Sequence, residues 1–167
     1  MRFLGLDPGL TATGWGVVDA EGTLLRHVAH GVVRPAADAA LGARLAALHV
    51  GLARVVADYA PDEAAIEETF VNRNPASALK LGQARGVVLL APALAGLAVA
   101  EYPANTVKKT VVGVGHAEKR QVAMMVRTLL PGAGALSGDA ADALAVAICH
   151  AHHAGARRAL ARARSAA

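Results

Sequence analysis

Four carboxylates stand where the sequence predicts the ends of buried strands or the start of a packed helix. Asp7 ends the apolar run FLGL, and Glu67, with Glu68 beside it, follows the apolar residues AAI. Asp139 and Asp142 are three residues apart, so they lie on the same face of a helix. If the two strands are neighbours, acids from two strand ends and one helix face can meet at one edge of a sheet.

The chemistry of such a cluster depends on a cation. Carboxylates gathered without one repel each other, and their pKa values rise. The segment from Asp139 to His153 is rich in small apolar residues and offers the acids no lysine or arginine. Mg²⁺ prefers hard oxygen ligands, and two such ions about 3.5–4 Å apart can activate a water and stabilise a leaving oxygen. The residues favour a two-metal nuclease site; the alternative for each acid taken singly is a capping or solvated residue.

The composition predicts one packed, basic domain. With 54% hydrophobic and 18% charged residues among 167, the chain has the material for a globular core. The net charge of +4 becomes +8 without the four acids, because 17 basic residues then face the 9 acids that remain of 13. This surplus favours a polyanionic partner.

The single Cys149 is typical of a buried helix residue in a reducing cytoplasm. No membrane is expected, since the most apolar segment, residues 86–100, is too short to span a bilayer.

Periodicity predicts an α/β fold with a mixed five-stranded sheet flanked by helices. Residues 2–7 and 15–33 form three strands joined by short links, with a hairpin turn at Glu21-Gly22. The later predicted elements are, in order, a helix over 40–59, a strand over 62–68, a helix from Asn74-Pro75, a strand over 97–102, two helices within 105–130 and a last helix from Asp139.

Three further features carry predictions. Gly82 and Gly86 lie four apart in a helix, where glycine is costly, so we expect another backbone to come close, in the core or across a dimer. A single domain over 1–154 is followed by a basic Ala/Arg-rich tail, 155–167, predicted as a frayed extension that contacts polyanions or is solvated. The histidines at the predicted end of the last helix are expected at the surface, where the helix dipole favours them: His150, His152 and His153.

Four ordered segments resemble the RuvC Holliday junction resolvases. They are DPGLTATGWG, AIEETFVNRNPASALKLGQARGVVL, EYPANTVKKTVVGVGHAEKRQV and GDAADALAVAICHAH. The likeness runs from about Arg2 to His153 and is weakest over residues 20–60. It implies an RNase H-like fold and an endodeoxyribonuclease that cuts two opposed strands of a four-way DNA junction.

The resemblance also assigns roles to residues. Its catalytic, metal-binding acids fall on Asp7, Glu67, Asp139 and Asp142, which selects Glu67 over Glu68. It implies Mg²⁺ or Mn²⁺, two ions per site, a homodimer formed through the helix with Gly82 and Gly86, and cooperation with RuvA and RuvB. Candidate DNA contacts are Phe70, Arg73, Lys80, Lys108, Lys109 and Lys119.

Other functions remain open at this point. The turn DPGLT also resembles the phosphate-binding turn of actin-like ATPases and sugar kinases, although those proteins close two such lobes around a nucleotide. A related RNase H-like nuclease could use the same acids on RNA. A junction-binding module without activity is the non-enzyme alternative, and intact acids at all four positions argue against it.

Overall fold

The structure is a computed structural model that describes residues 1–68 and 74–165, and it contains a mixed sheet. The strands are β1 (Arg2–Asp7), β2 (Thr13–Glu21), β3 (Leu24–Val33), β4 (Glu63–Glu68) and β5 (Val99–Pro103). Their order across the sheet is β3-β2-β1-β4-β5. Neighbours among β1, β2 and β3 are antiparallel, whereas β4 is parallel to both β1 and β5. The predicted five-stranded mixed sheet is confirmed.

The helices follow the predicted order, and one is longer than expected. They are α1 (Leu41–Tyr59), α2 (Pro75–Leu94), α3 (Ala104–Val112), α4 (Lys119–Leu129) and α5 (Gly138–Ser165). Asn74 caps α2, because its side-chain oxygen accepts hydrogen bonds from the backbone N–H groups of Ala76 and Ser77 at 3.0 and 3.3 Å. None of the described helices is long and apolar enough to cross a membrane.

Side-chain alternation along the strands assigns each helix to one face of the sheet. Leu4, Leu6 and Ile66 pack into a core with residues of α1 and α2. Phe3 and Ala65 belong to the second core, which is built with α3, α4 and α5. Since successive strand residues point to opposite faces, the residue after Leu6 and the residue after Ile66 both point toward the α5 side. These two residues are the carboxylates of β1 and β4.

Helix α5 lies directly on β1 and β2 because glycines face it. A Cβ placed on Gly14 would lie 2.0 Å from the backbone oxygen of Asp139, and one on Gly5 would lie 2.2 Å from that of Ala143. Side chains at these positions would push the helix away from the sheet. The two glycines therefore set how closely the start of α5 approaches the end of β1.

The prediction of surface histidines is wrong for His150, which is 1% exposed. Its Nδ1 lies 2.9 Å from the Tyr102 hydroxyl, its Nε2 lies 3.0 Å from Glu63, and its ring meets Phe3 edge-on. The physical reason is that α5 does not end there but continues to Ser165, so this turn still packs on the sheet.

The segment after residue 154 is helical over 155–165 and is part of α5, where a frayed extension was predicted. Arg157 and Arg158 contact the Glu63 carboxylate at 3.4 and 2.8 Å. These contacts join the last turns of the helix to the start of β4. Cys149 lies fully buried in the same helix, as its small apolar character predicts.

Candidate functional site

The four predicted acids meet at one edge of the sheet. Leu6 pairs with Ile66 in parallel register, so Asp7 and Glu67 leave adjacent strands side by side. Asp139 lies in the first turn of α5, above Gly14, which pairs with Asp7 across β1 and β2. Asp142 follows one turn later on the same helix face.

Strand alternation also distinguishes the two adjacent glutamates. Glu67 shares its side of β4 with Ala65, which packs in the α5 core, whereas Glu68 shares the opposite side with Ile66. This signal was present in the sequence as strand parity, but it needed the knowledge of which face α5 covers. The geometry therefore places Glu67, and not its neighbour, with the other acids.

Asp7 is a buried carboxylate with other carboxylates beside it, and both features raise its pKa. Its pKa is raised from 3.8 to about 7, first by burial and then by the charges of Asp142 and Glu67, with the Lys119 charge acting in the opposite direction. The pKa of Glu67 is also raised, by burial and by Asp142, against the lowering effect of Lys119 and Lys108. The site holds more negative charge than its buried surroundings balance.

Two cations flank the acids. Lys119, at the start of α4, donates a hydrogen bond to Asp142 at 3.0 Å, and this bond raises the pKa of the lysine. Arg34, just beyond the end of β3, donates to Asp139 at 3.3 Å. The family resemblance implied Lys119 as a DNA contact, but nothing in the sequence pointed to Arg34, because its pairing joins residues 105 positions apart.

The donor set fits a hard divalent cation, although the side chains are not arranged around one. Within residues 1–68 and 74–165, no three His, Cys, Asp or Glu side chains form a cluster that could hold a metal as they stand. Asp139 and Asp142 are turned toward Arg34 and Lys119 instead. All four acids offer carboxylate oxygens, and a cation would offset the burial and the neighbouring negative charges that raise the pKa of Asp7.

The turn after Asp7 is fixed by hydrogen bonds. The fully buried Thr13 accepts from the backbone N–H of Gly9 at 3.2 Å and donates to its carbonyl at 2.7 Å. Arg44 of α1 donates to the carbonyl of Leu10 at 3.2 Å. These bonds hold the backbone that carries the Asp7 carboxylate, so the turn residues position the acid. The role of Arg44 was not anticipated from the sequence.

The predicted DNA-contact residues differ in their relation to the four acids. Lys108 lies on α3, close enough to Glu67 for its charge to lower that carboxyl pKa. Lys80 and Lys109 are exposed, and in the described part of the chain no ion pair joins them to the acids. Phe70 and Arg73 lie outside the described residues.

The two glycines of α2 face open space. No atom lies within 4 Å of a Cβ built on Gly82 or Gly86, so the expected close backbone approach does not occur within the described chain. Large apolar side chains on the same helix are exposed: Leu79 by 66%, Leu90 by 47% and Leu94 by 67%. This part of α2 is an unpartnered apolar face.

A mixed five-stranded sheet in the order β3-β2-β1-β4-β5, with acids from β1, β4 and α5 at one edge, defines an RNase H-like nuclease. Comparison with known proteins identifies the family within that class. Residues 3–150 match the family described as Crossover junction endodeoxyribonuclease RuvC. The chain belongs to the RuvC family, whose members are metal-dependent nucleases that hydrolyse phosphodiester bonds.

Relatives and solved structures agree with this assignment. The chain is 68% identical to Crossover junction endodeoxyribonuclease RuvC of Paramagnetospirillum magneticum, over 98% of each chain. It is 66% identical to that of Rhodospirillum rubrum, over 92% of this chain and 90% of the relative. Thermus thermophilus RuvC in complex with a Holliday junction substrate superposes with a TM-score of 0.86 at 36% identity, covering 93% and 95% of the two chains.

A distant structure shares the fold alone. The yeast mitochondrial Holliday junction resolvase Ydc2 superposes with a TM-score of 0.66 at 11% identity, covering 93% of this chain and 82% of that one. The predicted RNase H-like fold and the predicted Holliday junction resolvase family are both confirmed.

Proposed function

We propose that this chain resolves four-way DNA junctions with Asp7, Glu67, Asp139 and Asp142 as its catalytic metal ligands. The observation that carries this proposal is the convergence of the four carboxylates, with the pKa of Asp7 raised to about 7 by burial and neighbouring negative charge. Mg²⁺ or Mn²⁺ fits the all-oxygen donor set, and two ions fit four acids. When bound, the ions supply an activated water and stabilise the departing oxygen.

The residues of the chain perform the remaining tasks. Adjacent strands fix Asp7 and Glu67 side by side, so these two ligands are already placed together, whereas Asp139 and Asp142 must leave Arg34 and Lys119 to bind metal. Lys119 Nζ lies 3.0 Å from Asp142, so its ammonium group can donate a hydrogen bond to a phosphate oxygen beside the acids when Asp142 binds metal. Lys108 places a second positive charge near Glu67. Both lysines would orient the scissile phosphate and favour its developing negative charge.

The active assembly is proposed to be a homodimer formed through α2. Gly82 and Gly86 leave the helix backbone open, and Leu79 and Leu90 extend the apolar face along the same helix. A second copy related by a two-fold axis would cover this face and present two equivalent sites. Two equivalent sites suit a junction in which two opposed strands are cut symmetrically.

Further parts of the proposal come from family membership. They include DNA contacts by Phe70, Arg73, Lys80, Lys108, Lys109 and Lys119, with Phe70 stacking on an unpaired base. Base stacking of this kind contributes roughly 1–3 kcal/mol and tolerates any sequence. They also include cooperation with RuvA and RuvB during branch migration, and a cytoplasmic location. Thermus thermophilus RuvC, with its Holliday junction substrate, is the structural precedent for the DNA partner.

The test compares cleavage of a synthetic four-way junction with cleavage of a matched linear duplex and a DNA/RNA hybrid. Paired nicks confined to the junction are expected, and they should disappear on chelation. Glu67→Gln should lower the cleavage rate by at least about 100-fold, while the matched variant Glu68→Gln should stay within about threefold of wild type. Hydrolysis of the hybrid alone would favour an RNA substrate, and equal loss with both variants would reject the assignment of Glu67.

A further inference from the structure

We propose that Arg34 is a substrate-binding residue of the active site, which contacts a DNA phosphate when Asp139 engages the metal. This inference rests on the proposed function, because it takes Asp139 as a metal ligand. It adds a residue outside the predicted DNA-contact set, which contacts Asp139 where Lys119 contacts Asp142.

The position of Arg34 follows from the register of the sheet. Val33, the last residue of β3, pairs with Thr13 at the start of β2. The next residue of β2, Gly14, pairs with Asp7 and lies beneath the backbone of Asp139. The end of β3 is therefore at the same sheet edge as the acids, and the Arg34 guanidinium extends from it to Asp139 Oδ2 at 3.3 Å.

The ion pair between Arg34 and Asp139 is weak enough to break when another group competes for either side chain. The two side chains are 58% and 42% exposed, and exposed ion pairs contribute little to stability. Among the described residues, Asp139 is the one hydrogen-bond partner of the Arg34 side chain, and a guanidinium has five N–H donors. Most of its donor capacity thus faces solvent beside the acids.

The arrangement of charges indicates what Arg34 does when the acids bind metal. Without metal, Arg34 pairs with Asp139 and Lys119 pairs with Asp142. If Asp139 ligated a divalent ion, its contact with Arg34 would be lost, and the guanidinium would lie free beside the acids, where a DNA phosphate would bind. The planar guanidinium fork binds two phosphate oxygens at once, which a lysine does not.

Junction binding in chelator tests this exchange with a double-mutant cycle. Asp139→Asn should strengthen junction binding roughly fivefold relative to wild type, because it releases Arg34. The same substitution made in the Arg34→Ala variant should strengthen binding by less than about twofold relative to Arg34→Ala alone. Arg26→Ala is the matched control, since Arg26 is an exposed arginine within β3, near the end of that strand that lies away from Arg34. A gain of the same size with and without Arg34 would reflect only the lost acid and would overturn the proposal.

Binding with Ca²⁺ in place of Mg²⁺ gives an independent readout, with the junction recovered and checked to be uncut. Arg34→Ala should weaken binding roughly fivefold and make the log–log slope of affinity against salt shallower by about 0.7–0.9, the share of one phosphate contact. Arg34→Lys should recover part of the affinity. An isotherm and salt slope equal to those of Arg26→Ala would also overturn the proposal.

Different results would reject the proposed metal site and the proposed role of Arg34. If the acids do not form the metal site, Asp139→Asn would keep junction cleavage in Mg²⁺. If only the role of Arg34 is wrong, Asp139→Asn would be inactive while Arg34→Ala binds the junction as tightly as the control. Thermal unfolding of each variant shows whether it remains folded, which is expected because Arg34 is largely exposed.

Discussion

At the scale of single residues, the proposed chemistry uses a buried carboxylate, Asp7, whose charge lowers the stability of the folded chain. Asp7 occupies a largely buried strand end where burial and neighbouring carboxylates raise its pKa to about 7. The folded chain therefore binds a proton at Asp7 more tightly than the unfolded chain does. As the pH rises from about 4 toward 7, this group lowers the free energy of unfolding, because the folded state must then carry the unfavourable charge.

Replacing Asp7 by asparagine should remove that cost. In chelator at pH 8, Asp7→Asn should raise the free energy of unfolding by on the order of 2 kcal/mol, and at pH 4 the difference should vanish. Urea unfolding at both pH values measures it. The matched control is Asp58→Asn, an exposed acid on α1. A variant that is less stable than wild type at pH 8 would contradict this account of the site.

At the scale of elements, the site depends on how closely α5 approaches the sheet. Gly14 leaves room for the backbone of Asp139, so the first turn of the helix reaches the end of β1. The adjacent register of β1 and β4 provides the other two acids. A change at the contact between helix and sheet therefore acts on the site without altering any acid.

Gly14→Ala should displace the start of α5, since the new Cβ would lie 2.0 Å from the Asp139 carbonyl oxygen. We expect a loss of about 1–3 kcal/mol in the free energy of unfolding and at least a tenfold loss of cleavage. Gly42→Ala is the control, because it lies on exposed helix surface with no atom near its Cβ. That variant should be neutral or more stable by about 0.5–1 kcal/mol. Equal behaviour of the two variants in denaturant and in the cleavage assay would show that the close approach is unimportant.

The sequence was sufficient for the elements but not for their contacts. Apolar alternation and the Asn74-Pro75 start gave the strands and α2 because these signals are local. The choice between Glu67 and Glu68 needed the face that α5 covers, and the burial of His150 needed the full length of that helix. Arg34 was missed because its partner is 105 residues away, and nothing in the sequence near either residue encodes that contact.

At the scale of the whole molecule, the apolar face of α2 is a surface that a single copy leaves uncovered. Leu79 and Leu90 are 66% and 47% exposed, and the two glycines beside them face open space. An interface there would bury the apolar side chains and let two helix backbones approach closely. The assembled molecule would then carry two sites for the two opposed strands that are cut in a four-way junction.

Leu90→Glu should shift the chain toward monomer, because it places a charge in the proposed interface. Sedimentation velocity at micromolar concentration should show at least a tenfold weaker dimer, with cleavage reduced in parallel at low enzyme concentration. Met124→Glu is the control, since Met124 is an exposed apolar residue, by 58%, on α4. An unchanged dimer in Leu90→Glu, or equal loss in both variants, would remove α2 as the interface.

The most direct test of the account is to locate the metal. A crystal of the chain with Mn²⁺ should show anomalous density roughly 2–2.5 Å from carboxylate oxygens of Asp7 and its neighbouring acids, with Asp139 turned away from Arg34. That result would establish the acids at the sheet edge as the metal site. Saturating Mn²⁺ with no density there, and with Arg34 and Lys119 still paired to Asp139 and Asp142, would contradict it.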